Sequence, residues 1–130
     1  MKFLVAYNGS EVAKRALVLA KEHAKILDAE VMIITSMEGG TREKPEEIAK
    51  AKEDLDYAMA SLREAGITCE GYELARGLTP AEDLVMFAEE NEVDQIYVGV
   101  EKRSKVGKIL LGSTAQYIIL KAHCPVITVK

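Results

Sequence analysis

A chain of 130 residues, 48% hydrophobic and 29% charged, has the balance of a globular protein with one core and is read as a single domain over residues 1–130. Its formal net charge of −4 argues against binding nucleic acid through the general surface. No apolar stretch approaches the roughly 20 residues that span a bilayer as a helix, so no membrane partner is expected.

The start, Met1-Lys2-Phe3-Leu4-Val5-Ala6-Tyr7, lacks the longer apolar region and cleavage site of a signal peptide. It reads as a first strand, Phe3 to Tyr7, of a cytoplasmic protein. Asn8-Gly9-Ser10 is a turn signal, and Ser10 can cap the helix that follows. Ala13, Ala16, Leu17, Ala20, Ala24 and Leu27 recur at helical spacing and predict its buried stripe. Val31 to Thr35 is continuously apolar, as in a strand covered on both faces. Glu38 to Arg42 is predicted as a flexible loop.

Pro45 suits the first position of a second helix. Its stripe is Ile48, Ala51, Leu55, Met59 and Leu62, and Gly66 ends it. Ile67 to Leu74 predicts a third strand, less apolar and so nearer an edge. Thr79-Pro80-Ala81-Glu82 has the form of a capping box and starts a third helix with Leu84, Val85, Phe87 and Ala88 inward. Gln95 to Val98 is a fourth strand, Ser113 to Ala122 a fourth helix and Val126 to Val129 a fifth strand. The alternation predicts an α/β fold: a mostly parallel sheet with helices on both faces. Such sheets bind ligands beyond the carboxyl ends of their strands, where the strand order reverses.

Several chemistries are missing from the pattern. No G-x-G-x-x-G follows the first strand. Gly107-Lys108 is followed by Ile109, with no glycine five residues before Gly107, so there is no phosphate-binding P-loop. A phospho-receiver domain would need acidic residues where this chain has Asn8 and Leu74-Ala75-Arg76. His23 and His123 have no catalytic partners at useful spacing and read as structural. Cys69 and Cys124, without metal-ligand spacing, read as small buried hydrophobes.

The segment from Gly99 to Ser113 stands out. It is read as a glycine-punctuated loop holding Lys102, Arg103, Lys105 and Lys108 within seven positions of an acidic protein. Gly99 and Gly112 would let backbone approach a ligand, and Ser113 would offer a hydroxyl at a helix start, where free N–H groups favour phosphate. The same composition also fits a solvated basic turn with a helix cap at Ser113.

These residues resemble the universal stress protein family along the whole chain, from Phe3-Leu-Val-Ala-Tyr-Asn-Gly-Ser to Ala122-His-Cys-Pro-Val-Ile-Thr-Val. ATP-binding members carry G-x-x-G, nine residues, then G-S or G-T, and Gly99, position 102 and Gly112-Ser113 fall at that spacing. The resemblance implies a Rossmann-like, adenine nucleotide alpha hydrolase-like fold with a five-stranded parallel sheet in order 3-2-1-4-5. It also implies a homodimer paired through the last strand, Val126 to Val129. Its implied ligand is an adenine nucleotide, ATP or AMP, with or without Mg²⁺. Asn8, Gly9 and Ser10 would flank the nucleoside, with Ser36 near adenine. Gly99, Lys102, Gly112, Ser113 and Thr114 would meet ribose and phosphates, joined by Arg103 and Ser104.

Two positions depart from the family pattern. Asn8 stands where an Asp is usual. Lys102 replaces the second glycine, and either fills the space of a phosphate or binds it. No residue is evident that would position an attacking water, and no acidic pair for Mg²⁺. The leading expectation is therefore a nucleotide-binding sensor or regulator in stress response, with at most slow ATP hydrolysis. The alternative is a member that binds no nucleotide and acts through dimerisation and protein contacts. An adenylyl- or phosphoryl-transferring enzyme would need a base or metal ligands not seen here.

Overall fold

The computed structural model describes residues 1–36, 44–105 and 108–130, with residues 36, 102–105 and 108–110 described as backbone. The elements in chain order are β1 (Lys2–Ala6), α1 (Glu11–Leu27), β2 (Glu30–Ser36), α2 (Pro45–Glu64), β3 (Cys69–Leu74), α3 (Pro80–Glu90), β4 (Gln95–Gly99), β5 (Lys102–Lys105), β6 (Lys108–Leu111), α4 (Ser113–Lys121) and β7 (Val126–Val129). Five strands form one parallel sheet in the order β3-β2-β1-β4-β7, the expected 3-2-1-4-5 arrangement with β7 as its fifth strand. The chain enters at the centre, runs outward to β3, then crosses back over β1 to β4 and β7. The loops after β1 and β4 therefore part in opposite directions and leave a crevice at the carboxyl ends of these strands.

Side-chain alternation along β1 divides the core between two faces. Phe3, Val5 and Tyr7 pack with Ala13, Ala16, Leu17 and Ala20 of α1 and Leu55, Ala58 and Leu62 of α2. Leu4, Ile34, Ile96 and Val98 pack on the other face with Leu84, Phe87 and Ala88 of α3 and Ala115 and Ile118 of α4. Two residues expected in buried stripes are largely exposed: Leu27 at 50% and Ile48 at 44%. Both lie in terminal turns of their helices. The expected loop Glu38 to Arg42 falls outside the described residues. Cys69 and Cys124 are free thiols, partly buried against the two cores.

Polar contacts pin the surrounding elements. Tyr97 is fully buried, accepts a hydrogen bond from Gln95 Nε2 at 3.0 Å, and lies 2.7 Å from His23 Nδ1, so His23 has the structural role expected of it. Arg76 Nε donates to the fully buried carboxylate of Asp83 at 2.5 Å, and its Nη1 reaches Glu90 at 3.3 Å. This clip ties the connection after β3 to α3.

The largest difference from the sequence reading is in the Gly99–Ser113 segment. It is not simply a loop, because β5 and β6 pair as an antiparallel ribbon, Lys102 opposite Leu111 and Lys105 opposite Lys108. The strands are separated in sequence by Val106 and Gly107 alone, a two-residue spacing typical of hairpins. The basic composition concealed that signal.

Gly99 has a packing reason to be glycine. A Cβ there would lie 2.4 Å from the backbone carbon of Val12 and 2.7 Å from the nitrogen of Ala13, so the end of β4 and the first turn of α1 touch backbone to backbone. Gly99→Ala is expected to push α1 off the sheet and cost about 1–3 kcal/mol, as overpacking does. The measurement is the urea midpoint of unfolding; an unchanged midpoint would mean that α1 shifts freely.

Candidate functional site

A cleft of about 540 Å³ opens at the carboxyl ends of β1 and β4. Its floor is apolar, with Ala6, Ile34, Leu84, Val98 and Ile118, while Asn8, Ser10, Glu101, Ser113 and Thr114 stand among its polar lining. An apolar floor with a few converging polar groups suits a small ligand that has a flat apolar part and a polar end. A larger depression of about 720 Å³ lies at the opposite end of the sheet, beside Lys2, Asp28, Glu30 and Asp94. We favour the smaller cleft because it sits at the strand-order reversal and receives helix N-termini, whose free N–H groups attract anions.

Of the four helices that start at this end of the sheet, the three that line the cleft, α1, α3 and α4, differ in how they begin. Ser10 Oγ caps α1 by accepting from Ala13 N at 3.2 Å. Thr79 Oγ1 caps α3 by accepting from Glu82 N at 3.3 Å, and its hydroxyl donates to the Glu82 carboxylate at 2.8 Å. In α4 the N-cap is Gly112, with no side-chain cap and no acidic residue in the first turn. The expected cap, Ser113, is instead the first helical residue. The first main-chain bond of α4 runs from Gln116 N to Gly112 O at 3.1 Å. The N–H groups of Ser113, Thr114 and Ala115 therefore precede the helical ladder, in residues that line the cleft.

Gly112 has φ −64° and ψ 157°, a conformation open to any residue. A Cβ on it would meet nothing within 4 Å. Neither backbone strain nor crowding demands glycine here, whereas both features of a bare helix start follow from it: no capping side chain, and room beside the N–H groups.

The loop after β1 is held in a fixed shape. Asn8 Oδ1 accepts from Ser10 N at 3.0 Å, which turns the Asn8 amide nitrogen the other way. Gly9 has φ +77° and the Asp54 carboxyl group sits 2.7 Å from where its Cβ would be, so it serves the turn and does not line the cleft. Thr35 donates to the carbonyl oxygen of Tyr7 at 2.8 Å, tying the ends of β2 and β1 together. Burial, then the neighbouring Tyr57, Asp54 and Glu11, push the Tyr7 hydroxyl up to about 12, so it stays neutral near pH 7.

Six of the residues singled out by sequence thus come together around one cleft: Asn8, Ser10, Gly99, Gly112, Ser113 and Thr114. Ser36 ends β2, one position past cleft-lining Thr35. Lys102, Arg103 and Ser104 lie in β5, on the ribbon that leaves the cleft after Glu101 and returns to it at Gly112. Val12, Thr35, Pro80, Leu84 and Glu101 were not assigned to the site by sequence: Pro80 read only as part of a helix start, Glu101 lies unremarked within the Gly99–Ser113 segment, and Val12, Thr35 and Leu84 reach the cleft through topology.

The profile of the universal stress protein family matches residues 1–130. A universal stress protein of Methanocaldococcus jannaschii is 33% identical, over 99% of this chain and 81% of its own length. The solved structure of a universal stress protein from Archaeoglobus fulgidus superposes with a TM-score of 0.91 at 40% identity, covering 100% of this chain and 98% of that one. A second structure, of the universal stress protein from the same organism in complex with dAMP, gives a TM-score of 0.84 at 37% identity, with coverage of 100% and 98%. Family profile, sequence identity and superposition agree: the chain belongs to the universal stress protein family.

Proposed function

We propose that this protein binds an adenine nucleotide, AMP or ATP, in the cleft between the ends of β1 and β4. On this reading it acts as a cytoplasmic sensor or regulator in stress response, with at most slow hydrolysis of ATP. The observation that carries the proposal is the glycine-led start of α4, which leaves backbone N–H donors and the positive end of a helix dipole facing a cleft with an apolar floor. The dAMP complex of the Archaeoglobus fulgidus relative supports the choice of ligand. In this assignment Asn8, Ser10 and Ser36 border the nucleoside. Gly112, Ser113 and Thr114 hold the phosphates, and Lys102, Arg103 and Ser104 add to them from the ribbon. Any Mg²⁺ would arrive with a polyphosphate. Among the described residues no helix is long and apolar enough to cross a membrane.

Calorimetric titration of nucleotide-free protein with AMP, dAMP and ATP tests the reading. Gly112→Asp supplies the missing cap. We expect it to weaken AMP binding at least tenfold while folding stability holds or rises by up to about 1 kcal/mol. Absence of heat with every nucleotide at millimolar concentration would overturn the proposal in favour of a member acting through protein contacts. For Lys102, a phosphate contact is the favoured role, so Lys102→Gly should weaken ATP binding about threefold to tenfold. Tighter binding would instead identify an obstruction.

We also propose a homodimer formed through β7. Ile96 N donates to Pro125 O and Val100 N to Val129 O, so by strand alternation the backbone groups of Val126 and Thr128 point to the open edge. Pairing with a second copy would satisfy them and shield an edge that otherwise invites aggregation. The preceding helix also leaves Leu120 78% exposed. Thr128→Pro removes one outward N–H. In sedimentation velocity the wild type should run as a dimer and this variant as a monomer; a monomeric wild type would refute the dimer.

A further inference from the structure

We infer that Glu101 sets the charge limit of the cleft, favouring monophosphates over polyphosphates unless a divalent cation comes with them. The inference rests on the nucleotide reading above. Lys102 pairs with Leu111 across the antiparallel ribbon, and the residues that flank this pair at the base of the ribbon, Glu101 and Gly112, both line the cleft. Glu101 is exposed and lines that cleft together with Gly112, Ser113 and Thr114. Among the described lining residues it is the one with a formal charge at neutral pH.

A carboxylate opposite an uncapped helix start acts twice on an incoming anion. Before binding it is drawn to the same N–H groups and dipole that attract phosphate. After binding it repels each added phosphate charge. Both effects vanish for a neutral nucleoside, and the repulsion grows with ligand charge. A unit charge roughly 6–10 Å away in a water-like dielectric changes affinity about twofold to threefold. A divalent cation bound to the polyphosphate weakens the repulsion, because it lowers the net negative charge of the ligand toward that of a monophosphate. The basic residues Lys102, Arg103, Lys105 and Lys108 are the same in wild type and variant, so a comparison at position 101 isolates the carboxylate.

The test is Glu101→Gln, which keeps shape and removes charge. Both proteins are titrated with adenosine, AMP, metal-free ATP and ATP in excess Mg²⁺, at low and high salt. The variant should leave adenosine affinity unchanged, tighten AMP about twofold to threefold and tighten metal-free ATP about threefold to tenfold. Added Mg²⁺ should reduce the ATP gain toward that of AMP, and high salt should shrink both. If both proteins bind AMP and their ATP-to-AMP affinity ratios are equal, Glu101 is not the charge limit and the nucleotide reading survives. If neither protein binds any nucleotide, the nucleotide reading fails and this inference falls with it.

Discussion

The contact on which the site depends is the backbone-to-backbone seating of α1 on the end of β4. With no Cβ at Gly99, the first turn of α1 approaches β4 as closely as main-chain atoms allow. The small residues Ala13, Ala16 and Ala20 continue that close approach along the helix. This seating fixes where the loop after β1 can lie, because Asn8 and Ser10 lead directly into α1. It therefore fixes one wall of the cleft. The opposite wall is set by α4, packed on the other face of the sheet through Ala115 and Ile118. The cleft exists because these two helices are held to different faces while both begin at the same end of the sheet.

Stability and binding capacity are distributed unevenly among the helix starts. Ser10 and Thr79 spend their hydroxyls on their own helices, which makes α1 and α3 self-sufficient. At α4 the fold forgoes a side-chain cap, worth roughly a few tenths of a kcal/mol relative to the glycine that stands there. On the proposed function, the phosphate of the ligand finishes this helix start, which would couple local order to binding through the same three N–H groups. The clip between Arg76 and buried Asp83 lies on the far side of α3 from this arrangement in sequence, yet it steadies the helix that supplies Pro80 and Leu84 to the cleft.

Much of this was legible in the sequence, for physical reasons that differ by region. Continuous apolar strands and helical stripes announced a sheet covered on both faces, because burial on two sides leaves no other pattern. Ser10 and Thr79 were readable as caps because capping is a local, short-range interaction. Gly99 and Gly112 were noticed through their spacing, but their reasons could not be read. The space at Gly99 is filled by α1, thirteen residues into the chain, and the space at Gly112 is open; only the folded molecule distinguishes the two. The ribbon was read as a loop because its charge masked a two-residue hairpin spacing. Val12, Thr35 and Leu84 reach the cleft by strand order, which no local pattern encodes.

The turn at Asn8 separates two demands that usually compete. Folding uses its Oδ1, which receives the Ser10 N–H, and an aspartate oxygen would serve that bond equally well. The other arm of the side chain is left to meet whatever occupies the cleft: an N–H donor in asparagine, an acceptor in aspartate. Exchange of one atom at this position can therefore redraw recognition while the turn and α1 stay as they are. Descent within the family could cross between the two residues in a single step, without passing through a less foldable intermediate.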